Sequence, residues 1–413
     1  MKTLIKAIGP GILVACAAVG GSHLVWSTRA GAQFGWSLLW LIILTNLLKF
    51  PFFLFGQRYT AATGESLLAG YRRHGMVYVW IFLVFNILTG TVNIAGVAML
   101  SGALLAGYGL EAVGVPVLTL ALIGLCAALL LLGHYRLLDG FAKVIVAALS
   151  VSTVAAVVFA ALNRPAMSVD FQAPSPYTWV SFAFIVSLLG WMPAPVDLSA
   201  WSSLWMFSRR EQTGHFASVR ESAVDFYLGY VSAAVLAVLF VALGALVMFG
   251  TGAHFSEGGI GFAQQLVNLY TATIGSWSRL LILTAAFITM FSTTITCLDG
   301  YPRSLAACCS LIGNLPARRF AQINQAWIVV STVLAALCVL FLARSLVQLL
   351  SMAAMLSFLT SPVLAYINLK VMNGANVPER YRPGWFLNTL SVVGLVFFAL
   401  MAAGFAYVVL LHS

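Results

Sequence analysis

Eleven apolar stretches, each long enough to cross a bilayer, divide this chain, at roughly 5–32, 36–58, 76–106, 113–133, 141–162, 177–206, 224–250, 277–300, 321–343, 346–370 and 386–411. A run of about 20 apolar residues spans hydrocarbon as a helix, because a helix satisfies its own backbone polar groups without water. The composition agrees, with 62% hydrophobic and 8% charged residues, where a soluble domain carries about a quarter charged. The expected class is an all-α integral membrane protein with the lipid bilayer as partner. The net charge of +10 does not point to nucleic acid, because the basic residues recur in short loops and form no single patch.

With the N-terminus placed inside, the inner loops and adjoining helix ends hold Lys2, Lys6, Lys49, Arg58, Arg72, Arg73, Arg136, Lys143, Arg209, Arg210, Arg220, Arg303, Arg318, Arg319, Lys370, Arg380 and Arg382, seventeen in all. The outer side keeps four, Arg29, Arg164, Arg279 and Arg344. This bias predicts a cytoplasmic N-terminus, an extracytoplasmic C-terminus and a bacterial-type inner membrane. Met1 to Lys6 is short and basic and meets no small-residue cleavage site, so no cleaved signal peptide is expected. Trp26, Trp36, Trp80, Trp179, Trp205, Trp277 and Trp327 near span ends predict interfacial belts. Cys16, Cys126, Cys297, Cys308, Cys309 and Cys338 lack zinc-ligand spacing and read as small buried hydrophobes.

Two spans carry interruptions. The sixth contains Gly190-Trp191-Met192-Pro193-Ala194-Pro195-Val196-Asp197, where two prolines after a glycine break helical hydrogen bonding. The first contains Gly20-Gly21-Ser22-His23, two poor helix formers followed by a side chain that can bond freed carbonyls. A proline-rich loop, Asn163 to Pro176, separates span 5 from span 6. Two halves of five spans follow, and an odd repeat forces the second to be inverted. The interruptions then fall in the first span of each half, the best sequence pointer to a midplane transport site. A packing kink explains either break alone. The outer segment from Gly250 to Ser276 is glycine-rich, with a short surface helix expected over Phe262 to Tyr270.

A break exposes carbonyls, which suit cations, and helix N-termini, which suit anions. The candidate substrate-binding residues are Gly20, Gly21, Ser22, His23, Met192, Pro193, Ala194, Asp197, Thr293 and Thr296. Asp197 is the only acid placed near mid-membrane, either a ligand or the cap of the second half-helix. His23 is either a ligand or a hydrogen-bonded core histidine. Met192 offers a thioether to a soft metal or packs in the core. Thr293 and Thr296, within Ser292-Thr293-Thr294-Ile295-Thr296, either face the site or bond their own helix. Ser357, Thr360 and Ser361 in span 10 read the same way.

Gly9-Pro10-Gly11, Arg29-Ala30-Gly31-Ala32-Gln33-Phe34-Gly35, Thr63-Gly64-Glu65, Met192-Pro193 and Leu298-Asp299-Gly300-Tyr301 are the residues on which the chain resembles the natural resistance-associated macrophage protein (Nramp) divalent-metal transporters. The resemblance implies the leucine-transporter (APC superfamily-like) fold. Two inverted five-helix repeats, 1–165 and 166–375, would precede an eleventh helix in 376–413. It also implies alternating access, with spans 1 and 6 moving against spans 3, 4, 8 and 9. The family's span 1 signature, Asp-Pro-Gly-Asn, aligns with Gly20, Gly21, Ser22 and His23. Its span 6 signature, Met-Pro-His, reads Met192-Pro193-Ala194, so Met192 alone carries over as a metal ligand. The acidic positions of its proton pathway align with Asn93 and Gly96, and that pathway is expected to be lost.

A dehydrated divalent cation needs counter-charge or several good ligands. Met192, His23 and Asp197 would form an S, N and O set for a metal; His23 and Asp197 would otherwise form an internal pair. The rival reading has the Gly20-Gly21-Ser22 turn offering amide donors to a small anion or amino acid. A non-transporting membrane sensor is the third class. No phosphate loop is evident, so ATP drive is not expected. Nor is enzyme activity, or any cofactor beyond a possible transported divalent metal ion.

Overall fold

The structure, a computed structural model, describes residues 2–412 apart from 134, 163–170, 253, 343 and 344. Side chains are not described at 2, 135–146, 149, 180, 411 and 412. Arg164, Pro165 and Arg344 therefore lie outside the described residues, as do the side chains of Lys2, Arg136 and Lys143.

The described residues form helices and connecting turns. In chain order these are α1 (Lys2–Ala7), α2 (Pro10–Ala18), α3 (Ser22–Phe34, beginning with a π-helical turn), α4 (Leu39–Thr63), α5 (Leu67–His74), α6 (Met76–Ala106), α7 (Val115–Leu131), α8 (Tyr135–Leu162), α9 (Trp179–Trp191), α10 (Leu198–Thr213), α11 (Val219–Val247), α12 (Gly259–Ile274), α13 (Arg279–Ile312), α14 (Phe320–Phe341), α15 (Leu346–Met372) and α16 (Trp385–His412). Among the described residues, seven helices are long and apolar enough to cross a membrane alone. The bent pair α2 and α3 makes an eighth.

The interruptions stand where the prolines and glycines put them. Val19, at ψ 78°, leaves the helical region, and α3 departs from α2 at 43°. At the second break, Met192 is extended, at φ −91° and ψ 118°. Pro193 and Pro195 have no N–H to give, and the helix restarts when Leu198, Ser199 and Ala200 donate to the carbonyls of Pro195, Val196 and Asp197.

Small residues allow backbone to meet backbone. A Cβ on Gly229 of α11 would lie 1.9 Å from the Gly11 carbonyl oxygen, and one on Gly244 would lie 2.2 Å from that of Thr28. Both halves of the first broken helix are thereby fused to α11. Likewise Gly56 of α4 would meet the Ser199 carbonyl oxygen of α10 at 2.1 Å, and Gly190 of α9 that of Ala354 of α15 at 2.0 Å. Without a hydrophobic drive between helices in lipid, close packing of this kind supplies much of their association. After α4, Gly64 turns the chain at φ +73° and Ser66 caps α5. Arg73 is hydrogen-bonded to Glu65 there and holds its carboxyl below the usual range.

Several expectations are corrected. Lys49 is not at an inner helix end: it is the eleventh of the 25 residues of α4 and fully buried. That leaves sixteen of the seventeen inner charges. Trp26 and Trp205 are buried, not interfacial, while Trp36, Trp80, Trp179 and Trp277 are exposed. Asp225 and Asp299 are buried in the protein as well as Asp197. The span expected to end near residue 300 continues as α13 to Ile312. The segment expected as a short surface helix is α12, with Phe262 and Tyr270 buried and the Tyr270 hydroxyl 3.0 Å from that of Thr153.

Gly229→Val should lower the thermal unfolding midpoint of detergent-purified protein, because the opposing atom is main chain and cannot yield; overpacking of this kind costs roughly 1–3 kcal/mol or more. Gly124→Val on α7, where no atom lies within 4 Å of the added Cβ, should leave the midpoint unchanged.

Candidate functional site

The two breaks meet. A Cβ on Gly21 would lie 2.4 Å from the Trp191 ring, and one on Gly20 would lie 2.8 Å from the Thr293 hydroxyl. Gly20 and Gly21 are therefore glycines because an aromatic ring and a hydroxyl press on the turn. Between the breaks lies a cavity of ≈ 30 Å³, lined chiefly by Gly21, Ser22, Asn93, Trp191, Trp201 and Tyr301, with Pro193, Ala194 and Thr293 on its wall. That volume admits about two waters, or an ion stripped of most of its shell.

Asn93 of α6 organises the wall. Its Nδ2 donates to the Tyr301 hydroxyl at 2.6 Å and to Ser357 Oγ at 3.0 Å. Its Oδ1 accepts from Trp191 Nε1 at 2.9 Å. One neutral amide thus joins α6, α9, α13 and α15. Gly96, one turn on, packs against Leu350, 3.3 Å from the place of its absent Cβ. Thr293 Oγ1 of α13 donates to the Cys16 carbonyl at 3.1 Å, taking up an acceptor near the end of α2. Thr296 turns to its own helix, donating to the Ser292 carbonyl at 2.7 Å. Trp201 keeps its buried indole N–H without a hydrogen-bond partner.

The S, N and O set is not assembled. His23 points away from the cavity: Nε2 lies 2.8 Å from the Ala233 carbonyl oxygen, Nδ1 lies 2.6 Å from Ser22 Oγ, and its ring meets the edge of Phe240. It is a hydrogen-bonded core histidine against α11. Ser22 Oγ also donates to the Ala18 carbonyl at 2.5 Å. Met192 is fully buried beside the break and is not among the residues lining the cavity. Asp197 stands at the N-cap position of α10 but makes no side-chain cap. Its Oδ2 accepts from Thr89 of α6 at 3.4 Å, and its buried Oδ1 has no hydrogen-bond partner. Among the described residues, no group of three or more His, Cys, Asp and Glu side chains could hold a metal ion.

Two buried charged residues at helix ends were not anticipated, one at the second break and one at the start of α2. Lys49 Nζ of α4 donates to the carbonyls of Leu189, Gly190 and Ala194 at 2.7, 2.8 and 3.1 Å. Asp225 of α11 accepts from the Gly9 and Gly11 amides at 2.8 and 2.5 Å, where α2 begins. Each charge has the sign that the adjoining helix end favours. The available signal was a lysine ten residues inside an apolar span, passed over because it was counted with the inner helix-end charges.

A family description, natural resistance-associated macrophage protein-like, matches residues 11–408. An uncharacterized protein of Pasteurella multocida is 41% identical over 395 residues, covering 95% of this chain and 89% of that protein. Among solved structures, a variant of the Eremococcus coleocola manganese transporter superposes with a TM-score of 0.70 over 97% of this chain and 86% of its own, at 16% identity. MhsT, in complex with L-phenylalanine, gives 0.61 over 95% of this chain and 98% of its own, at 11% identity. The fold is that of the leucine transporter, two inverted five-helix repeats followed by an eleventh helix.

Replacing Asn93 with Ala leaves the Trp191 N–H buried and unpaired, which should cost about 1–3 kcal/mol. The check is a double-mutant cycle on thermal unfolding: Trp191→Phe should cost less in the Asn93→Ala background than alone, by about 0.5 kcal/mol or more.

Proposed function

The chain belongs to the natural resistance-associated macrophage protein-like (Nramp) family of membrane proteins, and from that premise we propose that it is a secondary transporter working by alternating access, its cargo held between the two breaks. The observation that carries this reading is the meeting of Gly21 and Trp191 across one buried cavity. Interrupted helices at matched positions of the two repeats leave main-chain groups free at mid-membrane, where a transporter of this architecture binds its cargo. The repeats are proposed to occupy 1–165 and 166–375, with the last helix in 376–413. The proposed placement is a bacterial inner membrane with the N-terminus cytoplasmic, supported by the charge bias that survives removal of Lys49 from the count.

The proposed cargo is a small inorganic ion, in the first place a divalent metal ion. Family membership supports this, as does the size of the cavity, which suits an ion better than an organic solute. The unpartnered carboxylate oxygen of Asp197 stands behind the cavity as the available counter-charge. A second reading, a small anion, is favoured by one specific observation, the unpaired N–H of Trp201 on the cavity wall.

Isothermal titration of purified protein separates the two. Under the metal reading Mn²⁺ gives a saturable heat, and Asp197→Asn, a change behind the ligands, weakens it about 10–100-fold. Absence of heat with every first-row divalent ion, in protein whose folding is verified, removes the metal reading. Under the anion reading, heat with a small monovalent anion survives Asp197→Asn.

A further inference from the structure

A fully buried ammonium in a membrane span is expensive unless oxygen surrounds it. Lys49 meets that condition. An ammonium has three N–H donors, and the three carbonyls of Leu189, Gly190 and Ala194 accept within 2.7–3.1 Å. The first two belong to the end of α9, where Leu189 keeps one long backbone bond, from the Met192 N–H at 3.4 Å; the third belongs to the break itself. The ring of Phe398 on α16 faces the ammonium at 6.0 Å, and Asp197 follows Ala194 three residues on in the same break. Carbonyl oxygens converging at mid-membrane, with a carboxylate nearby and an aromatic face behind, are the surroundings that bind a dehydrated monovalent cation.

We propose that the carbonyl oxygens of Leu189, Gly190 and Ala194 form a monovalent-cation site that the Lys49 ammonium fills from within the chain, so that the break needs no free cation there to hold its shape. The site is distinct from the cargo cavity, whose walls carry other atoms of the same break. The side chain supplies the cation at high effective concentration, because its stem is already anchored in α4. The inference does not depend on which cargo is carried, and its test is read from stability, so it stands or falls separately from the transport reading.

The experiment compares the full-length wild type with Lys49→Ala and Lys49→Met in detergent. Thermal unfolding is followed with N-methylglucamine as the only cation, then with saturating sodium, potassium or methylammonium. The wild type should be indifferent to the exchange. Lys49→Ala vacates the site, and its melting temperature should rise saturably by roughly 2–6 °C with at least one small cation. Lys49→Met fills the same space without charge and should gain nothing. A wild type that responds to monovalent cations as strongly as Lys49→Ala overturns the proposal without reference to either variant. So does a folded Lys49→Ala protein that ignores all three cations, an equal response from Lys49→Met, or a Lys49→Ala protein that cannot be recovered folded even in methylammonium. A lysine that merely occupied space would predict the folded Lys49→Ala protein that ignores all three cations, since water would serve the freed carbonyls equally well.

Discussion

Main-chain carbonyls and amides cannot be left bare in hydrocarbon, and two buried charges answer that constraint at helix ends. The answer takes the same form twice. Where α2 begins, Asp225 of α11 accepts two amide protons; where α9 ends, Lys49 of α4 donates to carbonyls. The first is an anion at a helix N-terminus and the second a cation at a helix C-terminus, the signs the helix dipole asks for. Helix α11 packs along the first broken helix and α4 along the second.

The centre of the molecule is consequently polar and almost wholly satisfied. Asn93 bonds three neighbours at once, Thr293 takes up the Cys16 carbonyl, and Ser22 takes up that of Ala18. A neutral amide can knit four helices together where a carboxylate would need counter-charge or a proton. Among the described residues near the breaks, Asp197 Oδ1 and the Trp201 N–H have no hydrogen-bond partner within ordinary distance.

The architecture was legible because it rests on gross periodicities: long apolar runs, short basic loops, and interruptions that only glycine and proline make so clearly. Both breaks lie where Gly20-Gly21 and Pro193-Ala194-Pro195 required. The site was legible only at main-chain positions. Gly20, Gly21, Pro193 and Ala194 line or shape the cavity through their backbone geometry, whereas the direction of a side chain depends on neighbours far away in sequence. His23 is one residue beyond Ser22, yet it turns to α11, 210 residues distant. Thr293 and Thr296 are three residues apart on one helix, and only the first reaches the break. Lys49 was misplaced because a charge count uses position along a span and cannot see that carbonyls from 140 residues later surround it.

The pattern of contacts also says where such a structure can part. The broken helices are fused to their flanks through backbone: α2 and α3 to α11, α10 to α4, and α9 to α15, all at distances that leave no room for a Cβ. Across the face that α6 and α13 turn toward the breaks, the links are side-chain bonds instead: Trp191 to Asn93, Thr293 to the Cys16 carbonyl, Thr89 to Asp197, and Trp205 to Asp299. Bonds of the second kind exchange readily with water or cargo, since each lost partner can be replaced by a hydrated one. Interdigitated backbones offer no such exchange; separating them opens voids and strips contacts that water cannot restore in an apolar layer. We propose that a rearrangement admitting cargo parts the broken helices, together with α4 and α11, from α6 and α13. The cavity already lies on that seam.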